Sequence, residues 1–101
     1  MPQRHPVTAL ASLASGSSQA FTIAGRRIAL FNVDGKIHAM DDLCPHAGAP
    51  LSDGRLQGCV VTCPWHGWDF DVTNGRMPGQ AEDCLKVYPV HLNGDQVEVE
   101  V

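Results

Sequence analysis

Apolar and polar residues alternate along much of this chain, and no ten-residue window carries the spacing of an amphipathic helix. The clearest stretch is Gln96 to Val101, where Val97, Val99 and Val101 fall on one side and Gln96, Glu98 and Glu100 on the other. Arg26 to Val33, rich in Ile, Leu, Phe and Val, reads as a strand. Asp34-Gly35 follows as a two-residue signal for a type I′ hairpin turn. Lys36 to Met40 returns as the partner strand, with Ile37 and Ala39 on one face and His38 on the other. Gln19 to Ile23 is a short strand closed by Ala24-Gly25, and Ser15 to Ser18 is a loop. Val7 to Leu13 begins the first strand or forms a short helical turn, and Met1 to Pro6 reads as a loose end. Trp68 to Val72 is a strand turned by Thr73-Asn74-Gly75. Pro89 interrupts Leu85 to Leu92, which makes that stretch an edge strand or two short ones. Asn93-Gly94 gives a second hairpin signal. The pattern predicts one all-β domain over residues 1–101, with terminal hairpins that pair together and an insert projecting at about residues 42–71.

Composition narrows the class. The chain has 101 residues, 44% of them apolar, and a net charge of −4. An acidic chain argues against nucleic acid as a partner, because phosphate binding wants a basic face. It suits docking onto a basic patch of another protein. No apolar run is long enough to span a membrane, and the early Arg4 is not followed by the apolar stretch of a signal peptide. A cytoplasmic location is therefore expected. There, four cysteines point to metal ligands or thiols rather than disulfides.

Candidate chemistry lies in two short hooks, Cys44-Pro45-His46 and Cys63-Pro64-Trp65-His66. Each offers one thiolate and one imidazole, and sixteen residues, 47 to 62, separate them. Chance turns are a poor account of two such hooks, each beside a glycine, Gly48 and Gly67, read as points of close backbone approach. A tetrahedral zinc site accepts two thiolates and two imidazoles, but zinc modules generally pair like with like in each hook. A two-iron cluster with different ligands on each iron does call for mixing. Cys44 and Cys63 would take one iron, and His46 and His66 the other.

The combined pattern resembles the Rieske [2Fe–2S] family. The similarity runs through residues 44–51 and 63–71, the turn Thr73-Asn74-Gly75 and Tyr88-Pro89-Val90. It implies three small antiparallel sheets with the cluster at the tip of the insert, and Cys44, His46, Cys63 and His66 as its ligands. Formal charge then explains the redox range: the oxidised cluster is neutral with two thiolates and two neutral imidazoles, so it accepts an electron more readily than a four-thiolate cluster. Quinol-oxidising relatives bridge the hooks by a disulfide at the positions of Ala49 and Trp65, and place hydroxyls at those of Trp68 and Phe70. Neither feature is present here. The resemblance thus implies a potential near the bottom of the roughly −150 to +300 mV range. It also implies that the remaining imidazole protons make the potential pH-dependent at alkaline pH, and that the imidazole edges are the electron exit.

Other residues carry weaker expectations. Pro78, in Arg76 to Gly79, resembles a third loop that covers the cluster. Trp65 and Trp68 are read as docking or packing residues. Cys59 and Cys84 are expected as buried thiols, and His5, His38 and His91 as surface residues. Asp41, Asp42, Asp53 and Asp83 are read as solvated acids or a negative rim.

The resemblance implies a soluble, monomeric, non-catalytic ferredoxin. It would carry one electron from an NAD(P)H-dependent flavoprotein reductase to the terminal oxygenase of an aromatic-ring dioxygenase. The alternative is the small Rieske subunit of an assimilatory nitrite reductase. A catalytic oxygenase would need a second, mononuclear iron held by two histidines and a carboxylate, and the spare histidines lie in unrelated segments. Nothing favours a sensor that merely retained the cluster.

Overall fold

The turn at Asp34-Gly35 has positive φ at both residues, 52° and 91°, the type I′ geometry whose twist matches that of its flanking strands. A computed structural model describes residues 3–44, 48–65, 67–81 and 84–101. Its strands, in chain order, are β1 (Arg4–Ala9), β2 (Ser18–Ile23), β3 (Arg26–Val33), β4 (Lys36–Asp41) and β5 (Arg55–Gln57). They continue with β6 (Val60–Thr62), β7 (Asp69–Asp71), β8 (Val87–Tyr88), β9 (Val90–Asn93) and β10 (Gln96–Glu100). Three antiparallel sheets result, ordered β1-β10-β9, β2-β3-β4-β8 and β5-β6-β7.

The four-stranded sheet stands between two cores. Ala29 and Phe31 of β3, with Met40 of β4, face Leu51, Val61 and Phe70 of the excursion between β4 and β8. Ile28 and Leu30, with Ile37 and Ala39, face Leu13, Val97 and Val99 on the terminal side. Burial on both faces explains why β3 reads as a continuous apolar run while β10, covered on one face, alternates. The three-residue strands of the β5-β6-β7 sheet are too short to be stable alone, and they use the central sheet as the other half of their core.

Pro89 marks the point where the chain changes sheets. β8 pairs with β4 on one side of it and β9 with β10 on the other, both at sheet edges, where a missing N–H is tolerated.

Several expectations change. The N-terminus is not loose from Arg4 onward, because Arg4 pairs with Glu100 and His5 with Val99. Both readings of the next stretch hold, since β1 runs directly into a 3₁₀ turn at Leu10–Ser12. The second hairpin turns on Gly94-Asp95, with Asn93 already paired to Gln96 and Gly94 at φ 60°, so glycine occupies the first central position. His5, His38 and His91 are half-buried on sheet faces rather than fully exposed. His91 Nε2 lies 3.1 Å from Glu100 Oε1 on the adjacent strand.

Partial burial of His38, followed by the nearby charge of Lys36, lowers its affinity for a proton, and Asp71 opposes the shift. The unfolded chain therefore protonates this imidazole first, and stability is lost as pH falls below its ordinary value of about 6.5. The difference in urea midpoint between pH 7.5 and 5.5 is expected to be smaller in His38→Gln than in the parent. An equal difference in both proteins would remove His38 from the acid response.

Candidate metal centre

At the end of β4 the chain leaves the central sheet through Asp42, which is fully buried. Its N–H donates to the Arg27 carbonyl at 3.1 Å, and its carbonyl accepts from Leu51 N–H at 2.6 Å. Its carboxylate accepts from Ser52 N–H at 2.8 Å and from Arg27 Nε at 2.5 Å. A buried carboxylate is tolerable only when paired in this way. The side chain thus ties both ends of the first hook's loop to β3.

Above that anchor, Leu43 and Pro50 form an isolated bridge. Cys44 N–H donates to the Ala49 carbonyl at 2.8 Å, and Gly48 N–H donates back to the Cys44 carbonyl at 2.7 Å. The second hook repeats this closure. Cys63 N–H donates to the Trp68 carbonyl at 2.7 Å, and Gly67 N–H to the Cys63 carbonyl at 3.1 Å. Gly48 and Gly67 share a φ of 70°. Each loop therefore closes on the same two main-chain bonds and a left-handed glycine, a conformation in which a side chain is strained. Close backbone approach, the sequence-based reason for these glycines, is not what the described residues require. None of their atoms lies within 4 Å of a Cβ built at either position.

Cys44 and Cys63 are each 2% exposed and belong to one buried cluster with Ala49, Leu51, Val61 and Phe70. His46 and His66, the other two expected ligands, lie outside the described residues, as does Pro45. In sequence, both histidines fall between the cysteine and the glycine that close their loops. Two sulfurs, one from each of two equivalent loops and both sheltered from water, suit a soft metal centre, where burial favours a thiolate only if a cation is bound to it. Among the described residues, no group of three or more His, Cys, Asp or Glu side chains gathers as a metal site.

The surface around the hooks is apolar. Trp65 is 65% exposed, Leu43 46% and Trp68 36%. No charged residue occurs in 43–51 or 63–68. A negative rim including Asp42 is therefore ruled out, since that carboxylate is buried and paired. Asp41 is half-buried and accepts from Tyr88 Oη at 2.6 Å, Asp53 is exposed, and Asp83 lies outside the described residues. Met77 packs against the first core while Pro78 beside it is exposed. The two remaining cysteines depart from the expected burial: Cys59 is half-buried and Cys84 exposed.

The Arg27–Asp42 anchor was not apparent in the sequence. An acid two residues before Cys44 was visible there, but its partner lies fifteen residues upstream on another strand.

A family model described as the Rieske [2Fe-2S] domain matches residues 3–89. The ferredoxin component of the naphthalene 1,2-dioxygenase system of Pseudomonas aeruginosa is 37% identical over 94 residues, which span 92% of this chain and 90% of that protein. A chain in the complex of reduced oxygenase and oxidized ferredoxin in carbazole 1,9a-dioxygenase superposes with a TM-score of 0.86 at 30% identity, over 95% of this chain and 91% of that one. A structure named as a nitrite reductase (NADPH) small subunit superposes with a TM-score of 0.81 at 25% identity, over 96% and 97% of the two chains.

Removing the Asp42 carboxylate leaves Ser52 N–H without its acceptor and Arg27 without its charge partner. Asp42→Ala is expected to lower stability by roughly 2 to 3 kcal/mol, with less iron retained per chain, and Asp42→Asn by less. Urea unfolding and iron analysis test this. An unchanged midpoint and full iron in Asp42→Ala would show that the first loop holds its place without the anchor.

Proposed function

The chain belongs to the Rieske [2Fe-2S] domain family, and on that premise we propose that it is the ferredoxin of a multicomponent aromatic-ring dioxygenase. The observation that carries the reading is the pair of buried cysteines on two identically closed loops, in a chain whose relatives are named as ferredoxin components. The family cofactor is one Rieske-type [2Fe–2S] cluster. In this proposal Cys44 and Cys63 bind one iron, and His46 and His66 the other. Such a cluster takes up and gives back one electron at a time.

The chain's own residues do the rest. The closed loops hold the sulfurs in an apolar cluster, away from water. Leu43, Trp65 and Trp68 offer partners a face without charge. An electron carrier must release each partner quickly, and a small apolar contact with little electrostatic attraction suits that. The donor is an NAD(P)H-dependent flavoprotein reductase and the acceptor a terminal oxygenase. The carbazole dioxygenase complex of ferredoxin and oxygenase supports the second partner by analogy. The protein would work as a cytoplasmic monomer. Among the described residues, no helix is long and apolar enough to cross a membrane.

Likeness to the nitrite reductase small subunit supports a second reading, a fixed enzyme subunit. The higher identity to a dioxygenase ferredoxin favours the carrier. Stimulation of a dioxygenase by the purified protein, with reductase and NADH, discriminates between them.

Dithionite reduction is expected to give the rhombic EPR signal of a [2Fe–2S] centre with mixed nitrogen and sulfur ligands, and Cys63→Ala to abolish it. Full iron retention by Cys63→Ala would refute the ligand assignment. A redox titration should place the midpoint near the lower end of the roughly −150 to +300 mV range, because Ala49 and Trp65 form no disulfide and Trp68 and Phe70 offer no hydroxyl. A midpoint well above zero contradicts this. Trp65→Ala should slow electron delivery to the oxygenase about tenfold with the potential unchanged. Stopped-flow kinetics with unaltered rates would assign docking elsewhere.

A further inference from the structure

A trough runs along the β8 edge of the four-stranded sheet. It consists of three adjoining cavities that share lining residues. The first and second meet at Thr73 and Val87, and the second and third at Lys36, Ile37 and Val90. No described residue of 43–51 or 63–68 lines any of them.

Its floor is apolar along Ile37, Val90 and Leu92 and mixed at the other end, where Thr73, Asn74 and Arg76 join Leu85 and Val87. Ile37 is buried, while Val87 and Leu92 are 38% and 55% exposed. These are the two exposed large apolar side chains, among the described residues, that lie outside the cysteine loops. The rim is basic in an otherwise acidic chain. Both lysines of the sequence, Lys36 and Lys86, line the trough, together with Arg76, and Asp34 is the acid among its described lining residues. Neither lysine forms an ion pair among the described residues, and the Lys86 ammonium stands 5.3 Å from the centre of the Tyr88 ring.

The backbone of β8 points the same way. Asp41 N–H donates to the Lys86 carbonyl at 2.9 Å, and Ala39 and Tyr88 are partners. Met40 and Val87 are therefore the non-hydrogen-bonded pair between them, and antiparallel geometry directs the N–H and C=O of Val87 away from β4. The edge thus presents one main-chain donor and acceptor at Val87, in a trough also lined by Lys36 and Lys86, which form no ion pair among the described residues. That combination fits a strand-like segment with alternating acidic and apolar residues. Carboxylates would meet Lys36 and Lys86, and apolar side chains would cover Ile37, Val90 and Leu92.

We propose that this trough is a second docking surface, which takes an extended acidic segment of a partner protein. Because it shares no described residue with the cysteine loops, a partner held there leaves the proposed redox face free. The proposal concerns binding alone and stands or falls separately from the redox role.

The test uses the cluster-loaded protein and a short peptide of alternating aspartate and valine, with its lysine–valine counterpart as control. Binding is followed by NMR shifts and by fluorescence anisotropy. The acidic peptide should bind saturably, shift Val87 and Val90, and weaken as salt is raised, while the basic peptide should not bind. K36E/K86E should weaken binding at least about tenfold, and K36Q/K86Q by less. R4E/R55E makes the same change in net charge outside the trough and should change affinity by less than about twofold. Unaltered EPR spectra verify that the variants remain folded. Equal losses in K36E/K86E and R4E/R55E would reduce the effect to bulk charge. Shifts confined to residues 43–51 and 63–68, or no saturable binding, would also overturn the proposal.

Discussion

Two pairs of main-chain hydrogen bonds hold the chemistry of this protein in place. Each cysteine donates its N–H five residues forward and accepts the N–H of a left-handed glycine four residues forward. That closure sets the direction in which each cysteine side chain leaves the backbone. The two hooks come from separate parts of the chain, so local closure cannot set their mutual position. The core beneath them must do that. Cys44 and Cys63 enter it beside Leu51, Val61 and Phe70, and Asp42 locks the first loop to β3 from the other side.

The same requirement explains the layered fold. A three-stranded sheet of three-residue strands cannot bury enough apolar surface to stand alone. Packed against Ala29, Phe31 and Met40, it becomes one wall of a core whose other wall is rigid. That wall is rigid because its opposite face is packed too, against Val97 and Val99 of the terminal sheet. Full burial of a side chain such as Phe31 or Phe70 contributes about 1.5 to 3 kcal/mol. The strand that carries Phe31 also carries Ile28 and Leu30, so disturbing it would loosen both cores together.

Features set by neighbouring residues were legible in the sequence; features set by distant ones were not. Asp34-Gly35 specifies its turn by itself, and Val97 and Val99 report their buried face by alternation alone. Cys44 and Cys63 stood out because each has a histidine two or three residues on, and the structure buries both cysteines in one cluster, while the histidines lie outside the described residues. Pro89 announced a break, but pairing with β4 and β10, at residues far along the chain, decides which sheet each half joins. Asp42 looked like a surface acid because a carboxylate carries no local sign of burial. Only Arg27, brought beside it by the β3–β4 hairpin, makes the buried position tolerable. Gly48 and Gly67 were recognised as special, but sequence does not distinguish the positive φ seen at both from a need for space. With Asn93-Gly94, the glycine was correctly found but its place in the turn was off by one, because adjacent registers use the same residues.

Charge is distributed as sharply as apolar surface. The loops around Cys44 and Cys63 carry none, and the two acids that precede the first loop are withdrawn, Asp42 into the core and Asp41 onto Tyr88, while Asp69, next to the second loop, is exposed and accepts from Thr62 Oγ1 at 2.6 Å. An acid free to point at the redox face would raise the cost of adding an electron nearby and would make every partner's affinity depend on salt. Withdrawing those acids lowers both effects, but it also removes long-range attraction from the face where electrons must pass. What remains there is contact through a few exposed apolar side chains, chiefly Trp65 and Leu43, which is short-ranged. In the proposed role, a carrier that alternates between two partners needs such brief contact at its redox face, because tight binding to either one would stop the cycle at that partner.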